Sequence, residues 1–284
     1  MSALPIRVRD ARIDLPYDGG APGRVVLDVP EQPMKVDRGT VVFRWQVREA
    51  DRLIVKLYGE MGVFNWLRKQ VVGYRARREF RTLWRLRNAG VDSCEPVFWA
   101  TGRSSDHGLF EVVATREIPD AVTLSEQLPQ LGPEARAETL GRLFESLARM
   151  HRAGVWHGAF FLTNILVGSD RTVPRIIDLE KSVVFASDIR GTRMADYDLL
   201  CAVSSTFIVI GGGYARRALE RYGLDEAGIA QVFAAVEGMR SSKSSRYRLR
   251  FEFLTRGLAS RTMGAVSGWN PAPARTVPSS KSGS

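Results

Sequence analysis

Cysteine and histidine are scarce in this chain of 284 residues, which contains two cysteines and three histidines. Cys94 and Cys201 both lie in apolar surroundings, and no CxxC or Cys/His spacing that would suit a metal accompanies them. The scarcity argues against a cysteine-based metal site and favours a reducing, cytosolic compartment.

A secretory signal is also missing, because the first residues have no basic region followed by an apolar run. No export is predicted. Residues 199–215 carry no charge, but they include Ser204, Ser205, Thr206 and three consecutive glycines, and they are short for a bilayer span. We expect a buried core helix there.

The charge balance is strongly basic, with a formal charge of +10 and a pI near 10. Such a protein attracts anions, which leaves nucleic acid, an anionic membrane face and a phosphorylated ligand all open. The 44% hydrophobic and 25% charged content suits a globular protein of one large domain or two lobes.

Strand and helix patterns alternate unevenly along the chain. Strands are predicted at 40–47, 52–58, 98–101 and 109–115. A helix is predicted at about 71–88, closed by Gly90, with Ala76, Phe80, Leu83 and Arg87 at helical spacing. A second helix is predicted at about 133–152, closed by Gly154, with one apolar face formed by Leu140, Leu143, Phe144, Leu147 and Met150. Very short strands follow near 155–156, 165–167 and 175–177. The order predicts an α+β protein with an N-terminal extension at 1–34, a small β-rich lobe with one key helix at 35–118, a larger helical lobe at 119–263 and a disordered tail at 264–284.

The most informative run begins at His157 and reaches Asn164, and a short hairpin later comes Asp178. Kinase catalytic loops have a His, an Asn seven residues later and a metal-binding Asp beyond one hairpin. Phosphoryl transfer requires divalent cations, and Mg²⁺ prefers hard oxygen ligands. Asn164 and Asp178 are therefore the expected metal ligands, and the role expected of His157 is structural.

Two upstream residues complete the pattern. Lys56 lies inside a predicted strand, where a kinase lysine would contact ATP phosphates, and Glu79 is the only acid of a very basic helix. The turn before this hairpin, with Gly39 and Thr40, could cover phosphates, although it contains no GxGxxG.

Each residue also has an ordinary structural interpretation. Lys56 could be a surface lysine with a buried stem, Glu79 an i,i+4 partner of Arg75, and His157 a core histidine. Only their ordered combination favours a kinase site.

The combination resembles the lipopolysaccharide kinase family (Kdo/WaaP-type, InaA-like) of the protein-kinase-like fold. The resemblance spans about residues 36–200 and rests on four segments, 54–56, 78–91, 157–167 and 177–182, of which the Asp-Leu-Glu-Lys-Ser run at 178–182 is the most family-specific. It implies a bilobal kinase-like fold that uses ATP and Mg²⁺ to phosphorylate a sugar hydroxyl of the lipopolysaccharide core. Glu117, after the last strand of the small lobe, joins Gly39, Thr40, Lys56 and Glu79 as an expected nucleotide-binding residue.

One position departs from the kinase pattern, because Ala159 stands where the catalytic-loop Asp is expected. Glu180, two residues past the metal-binding Asp, could replace the missing base. The alternative is a pseudokinase with a scaffold or regulatory role, which binds nucleotide, or only a partner, without transferring phosphate. An acid at the start of the helix after 195 should fix the catalytic loop, and Asp198 is preferred over Asp196.

The basic helix at 71–88 leaves the partner open. Its arginines could bind nucleic acid, but no nucleic-acid motif accompanies them. The same surface could bind an anionic lipid core or the inner leaflet of the membrane. The expected partner is therefore the lipopolysaccharide core or another anionic sugar. The expected location is cytoplasmic, and peripheral attachment to the inner face of the cytoplasmic membrane stays open.

Overall fold

The computed structural model describes residues 7–14, 24–28, 30, 32–37, 40–48, 51–59, 74–104, 108–169 and 173–240. Contacts divide the chain into two units. The first comprises residues 1–124 together with 164–184, and the second comprises 125–163 together with 185–284.

Seven strands build an antiparallel sheet in the first unit. They are β1 (Arg7–Asp14), β2 (Arg24–Asp28), β3 (Lys35–Asp37), β4 (Thr40–Arg48), β5 (Asp51–Tyr58), β6 (Pro96–Ser104) and β7 (Gly108–Arg116). Their order in space is β2-β1-β6-β7-β5-β4-β3. The four strands predicted between residues 40 and 115 are confirmed, each with slightly wider bounds.

The two faces of the sheet have different roles because successive residues of a strand point to opposite sides. On one face Phe43, Val55 and Val112 belong to a buried cluster. The other face carries Tyr58 and Val113, which pack with residues of a helix. Since Lys56 is two residues from Tyr58, its side chain lies on this helix-bearing face.

The helix on that face is α1 (Arg75–Asn88), which buries Ala76, Phe80 and Leu83 as predicted, whereas Arg87 is exposed. Its first turn contains no acid of its own. The fully buried Glu111 of β7 fills that role, because its carboxylate accepts the Ala76 N–H at 2.8 Å. At the other end, Gly90 has a φ of +68° and Val91 N–H donates to Leu86 O, which closes the helix.

A second, three-stranded sheet completes the described part of the first unit. It consists of β8 (Val122–Thr123), β10 (Ile165–Val167) and β11 (Arg175–Ile176), with β10 in the middle. The short strand β9 (Val155–Trp156) belongs to the second unit. Ser93, beyond the end of α1, forms a parallel bridge with Ile176. This bridge joins the segment after the helix to the hairpin that carries the candidate metal ligands.

The second unit is mainly helical. Its long helices are α3 (Pro133–Arg152), α4 (Arg193–Ile210), α5 (Gly213–Tyr222) and α6 (Glu226–Arg240), and the short α2 (Leu124–Gln127) precedes them. The predicted face of α3 is buried as expected, including Leu140, Phe144 and Leu147. At Gly154 a β-carbon would lie 2.5 Å from Phe185 O, and the φ is +74°, so the turn after α3 requires glycine.

The uncharged stretch at 199–215 is only partly one helix. Helix α4 ends at Ile210, because Gly211 has a φ of +81° and the next helix begins at Gly213. The residues of α4 from Leu199 to Val203 are buried, as predicted for a core helix. Within the described residues, no helix is long and apolar enough to cross a membrane.

Three other predictions concern the chain organisation. The predicted tail at 264–284 lies outside the described residues. Parts of the predicted extension at 1–34 belong to β1 and β2 of the large sheet. The lobe boundaries at 35, 119 and 264 stay predictions.

Candidate functional site

A lysine between two carboxylates forms the centre of the site in the first unit. Lys56 Nζ lies 3.0 Å from Glu79 Oε1 and 2.7 Å from Asp178 Oδ1. Glu79 comes from α1 and Asp178 from the segment after β11, 122 residues beyond Lys56 in sequence. The predicted Lys56–Glu79 ion pair is therefore confirmed, and Lys56 also contacts Asp178, the expected metal ligand.

Burial makes this cluster electrostatically strong. Glu79 is 3% exposed, so it is not the surface partner of Arg75 that the ordinary interpretation required. Burial acts to lower the pKa of Lys56, but the charges of Glu79 and Asp178 outweigh it and raise that pKa above its ordinary value. Lys56 consequently remains protonated throughout the neutral range.

Tyr58 is a member of the site that sequence analysis missed. Its hydroxyl donates a hydrogen bond to the second oxygen of Glu79, and burial, with the nearby Glu79 charge, raises the pKa of the phenol. Tyr58 therefore stays neutral and keeps donating. The signal was available, because Tyr58 is two residues from Lys56 in a strand and must lie on the same face.

Asp178 occupies an uncommon backbone conformation, with φ of +62° and ψ of +52°. Residues other than glycine rarely adopt it, and such positions occur often at functional sites. The preceding residue, Ile177, donates its N–H to Asn164 O at 3.1 Å. The hairpin thus joins Asn164 and the residue before Asp178 through a direct backbone contact.

The donor set suits a magnesium ion that arrives with a nucleotide. The Asp178 carboxylate is 31% exposed and Asn164 is partly exposed, so both can accept a ligand. Among the described residues no group of three or more His, Cys, Asp or Glu could hold a metal by itself. One carboxylate plus an amide fits Mg²⁺, which commonly takes one or two protein ligands together with substrate phosphates and waters.

The segment after Asp178 is attached directly to helix α1. Arg78 Nη2 donates to Glu180 O at 2.8 Å, and Ser182 Oγ donates to Thr82 Oγ1 at 3.1 Å. Thr82 and Ser182 are both buried. These contacts, which no sequence pattern indicated, hold the Glu79-bearing helix and the Asp178 segment in one arrangement.

In the second unit, a buried carboxylate fixes the loop that begins at His157. Asp198 accepts the N–H groups of His157 and Gly158 at 2.8 and 3.0 Å, and its side chain is fully buried. The preference for Asp198 over Asp196 is confirmed by these contacts. His157 is also fully buried, which agrees with a structural role.

Ala159 follows this anchored backbone and is 6% exposed. The methyl group offers no acceptor for a proton. Glu180, the predicted substitute, is partly buried, and its carboxylate lies 3.8 Å from Lys181 Nζ. Its role as a base stays a prediction.

The remaining nucleotide-binding predictions are not brought to the cluster. The Glu117 carboxylate forms an ion pair with Arg44 at 2.6 Å, and its N–H donates to Arg52 O. Thr40 begins β4 and pairs with Asp37 and Tyr58 across the sheet. Gly39 lies outside the described residues. These three assignments stay predictions.

A strand lysine held by a helix carboxylate, together with an Asp beyond a hairpin, is the arrangement that protein-kinase-like folds use around ATP phosphates. Residues 38–200 of the chain match the lipopolysaccharide kinase (Kdo/WaaP) family. The match covers more than half of the chain, and the protein belongs to this family. The resemblance inferred from the sequence is thereby confirmed.

A solved structure supports the fold. The chain is similar to the structure described as WaaP in complex with acyl carrier protein, with a TM-score of 0.54 and 21% identity over 73% of this chain and 88% of that one. At this identity the likeness concerns the mixed helix and sheet fold alone. No curated protein matches the chain.

Proposed function

We propose that this protein is an ATP-dependent kinase that phosphorylates a sugar hydroxyl, Kdo or heptose, of the lipopolysaccharide core. The observation that carries the proposal is the Lys56 cluster, in which one lysine contacts both the helix carboxylate and the candidate metal ligand. Membership of the lipopolysaccharide kinase family supports the substrate class. The bilobal kinase-like architecture belongs to the same proposal.

Lys56 and Glu79 bind and orient the nucleotide in this mechanism. Lys56 stays protonated and offers N–H donors to phosphate oxygens, while Glu79 and Tyr58 hold its position. Since positioning and charge neutralisation dominate a loose phosphoryl-transfer transition state, a preorganised cation is the main contribution the protein can make. Gly39, Thr40 and Glu117 would complete the nucleotide site.

Asn164 and Asp178 would hold Mg²⁺, which supplies neutralisation of the charge on the phosphate oxygens when it is bound. In the described structure Lys56 contacts Asp178 Oδ1 at 2.7 Å. Asp178 would therefore either release Lys56 or keep this contact when it holds the ion. Either way, the lysine keeps Glu79 as a second partner.

Deprotonation of the sugar hydroxyl needs an acceptor other than residue 159. Glu180 is the candidate within the family motif, because its carboxylate is partly exposed and bound only loosely by Lys181. A general base contributes typically about 10²–10⁴ in rate. A kinase without one would be slow but would still benefit from Lys56 and the metal ligands.

The second candidate function is a nucleotide-binding pseudokinase with a scaffold or regulatory role. The observation that favours it is Ala159, which is buried and cannot accept a proton. Both functions require nucleotide binding, so only phosphate transfer separates them.

The test is calorimetry with ATP, with and without Mg²⁺, followed by transfer of labelled phosphate to purified core oligosaccharide. We expect wild type to bind Mg·ATP, and Asp178→Ala to lose the metal-dependent part of the affinity. Lys56→Met should reduce transfer by about 10²–10³, the typical cost of removing one preorganised donor. Asp188→Ala, a partly exposed Asp in the second unit, is the control. No ATP affinity in folded wild type would contradict both functions.

Two further variants distinguish the kinase from the pseudokinase. Glu180→Gln should abolish transfer if Glu180 is the base and leave it nearly unchanged otherwise. Ala159→Asp should increase transfer by roughly 10² or more if no base is present. Circular dichroism must show that Ala159→Asp folds, because burying a carboxyl group without a partner is strongly unfavourable. Mg·ATP binding without transfer in every folded variant would favour the pseudokinase.

We further propose a cytoplasmic protein that works at the inner face of the membrane, where its substrate is anchored. The exposed arginines Arg77, Arg81 and Arg85 of α1 support attraction to anionic lipid. Nucleic acid stays the less favoured partner. Sedimentation with anionic vesicles, compared with duplex DNA on the same protein, tests the preference.

A further inference from the structure

A small cavity in the first unit is separate from the Lys56 cluster. Its volume is about 220 Å³, below the roughly 300–1,000 Å³ of pockets for drug-sized ligands. Arg87, Ser93, Arg116 and Arg175 are among the residues that line it, and neither Lys56, Glu79 nor Asp178 does. The cavity is therefore of a size for a small polar ligand.

Ser93 has a buried hydroxyl that the fold leaves unsatisfied. The residue is 4% exposed, and its Oγ has no hydrogen-bond partner in the described structure. A buried polar group without a partner is costly, and each such group in a native protein calls for an explanation. A ligand atom in the cavity would supply the missing partner.

The charges around this hydroxyl are predominantly positive. Both carboxylates of the lining are paired with guanidinium groups, since Glu95 lies 3.2 Å from Arg116 and Glu117 lies 2.6 Å from Arg44. Arg87 and Arg175 add two more cations to the lining. The balance favours an anion, and guanidinium groups bind phosphate oxygens in a bidentate geometry.

The backbone brings these groups together. Ser93 forms a parallel bridge with Ile176, the neighbour of Arg175, and Ile176 N–H donates to Asp92 O at 3.0 Å. A β-carbon at Gly168 would lie 3.3 Å from Arg175 Nη1, so the guanidinium passes directly over this glycine. Arg87, Cys94 and Arg175 all line the cavity.

We propose that this cavity is an oxyanion site that binds the phosphate group of a small phosphate monoester or free phosphate, through Arg87, Arg175 and the Ser93 hydroxyl. The Ser93 hydroxyl donates to a phosphate oxygen, and the two guanidinium groups neutralise the charge. The site is distinct from the Lys56 cluster, although Glu117, one of the expected nucleotide-binding residues, also lines the cavity.

The experiment is calorimetry of the full chain with inorganic phosphate, with glycerol 3-phosphate, and with glycerol as the neutral control. Ser93→Ala removes the hydroxyl without disturbing packing and should weaken phosphate binding about tenfold to a hundredfold, as loss of a hydrogen bond to a charged group does. Arg87→Gln should weaken it about threefold to tenfold. Arg81→Gln, an exposed residue of the same helix that does not line the cavity, should have no effect.

Lys56→Met distinguishes this site from the Lys56 cluster, because phosphate binding should persist when Lys56 is absent. Circular dichroism must first show that the variant is folded, since it loses one partner of a buried ion pair. Tighter binding of glycerol 3-phosphate than of phosphate would identify the ligand as an organic monoester, and equal binding would identify it as free phosphate. Three outcomes would overturn the proposal. The first is unchanged phosphate binding in both Ser93→Ala and Arg87→Gln, which would mean that the cavity holds only water. The second is an equal loss of binding in Arg81→Gln, which would indicate general attraction to the basic helix. The third is loss of phosphate binding in folded Lys56→Met.

Discussion

The coupling between Lys56 and Glu79 can be measured as a free energy in a double-mutant cycle. Glu79 is only 3% exposed, and Lys56→Met would leave its carboxylate with the Tyr58 hydroxyl as a partner. Removing one partner of a buried ion pair typically costs about 3–5 kcal/mol. Glu79→Gln is milder, about 1.5–3 kcal/mol, because Lys56 keeps Asp178 at 2.7 Å.

The double variant Lys56→Met/Glu79→Gln contains neither charge, so it avoids the largest single penalty. Its loss of stability should be smaller than the sum of the two single losses by about 2 kcal/mol, within the range of about 0.5–3 found for residues in one network. Because the pKa of Lys56 lies above its ordinary 10.5, this coupling is fully present below pH 10.5 and is lost only as the pH rises further. It should therefore be constant across the neutral range.

Urea unfolding followed by tryptophan fluorescence measures the cycle, since Trp84 and Trp99 pack against the α1 side of the sheet. The control is the exposed pair Arg142 and Glu138 of α3, whose side chains are 44% and 48% exposed. That pair should show a coupling of only about 0.3–0.5 kcal/mol. A coupling for Lys56 and Glu79 no larger than the control would refute the buried ion pair and the site built on it.

Three other predictions follow from buried groups. Asp198→Asn should lower the free energy of unfolding by about 3 kcal/mol, because an amide side chain cannot accept both the His157 and Gly158 N–H groups. Urea unfolding measures this loss, and a loss below about 0.5 kcal/mol would contradict the proposed anchoring of the loop by Asp198. Burial raises the pKa of Asp196 from 3.8 to about 6, so its stabilising contribution is present below pH 3.8 and lost as the pH rises through about 6. Asp196→Asn should therefore be more stable than wild type at about pH 8, by up to about 3 kcal/mol, and equal to it near pH 3.5; an unchanged pH profile in urea unfolding would contradict this. Burial raises the pKa of the Cys94 thiol to about 12, so alkylation followed by mass spectrometry should show no labelling of Cys94 until the protein unfolds.

Several features were predictable because they depend on short-range periodicity. Alternation in β5 places Lys56 on one face, and helical spacing places Ala76, Phe80 and Leu83 on the buried side of α1. The spacing from His157 to Asn164 and on to Asp178 predicted a kinase-like catalytic loop, and the motifs identified the family. Bounds of helix α3 agreed with the prediction because a proline and a glycine mark its two ends.

What only the tertiary structure decided is which of these side chains meet. Lys56 and Asp178 are 122 residues apart, and the cap of α1 comes from Glu111 on another strand. No local pattern encodes such contacts, because they arise from how the helix packs on the sheet and how the hairpin docks beside it. The unsatisfied hydroxyl of Ser93 and the guanidinium groups around it belong to the same class. Sequence by itself therefore determined the order of the site residues and the family of the protein. Packing determined which side chains these residues contact, how deeply they are buried and how their pKa values shift.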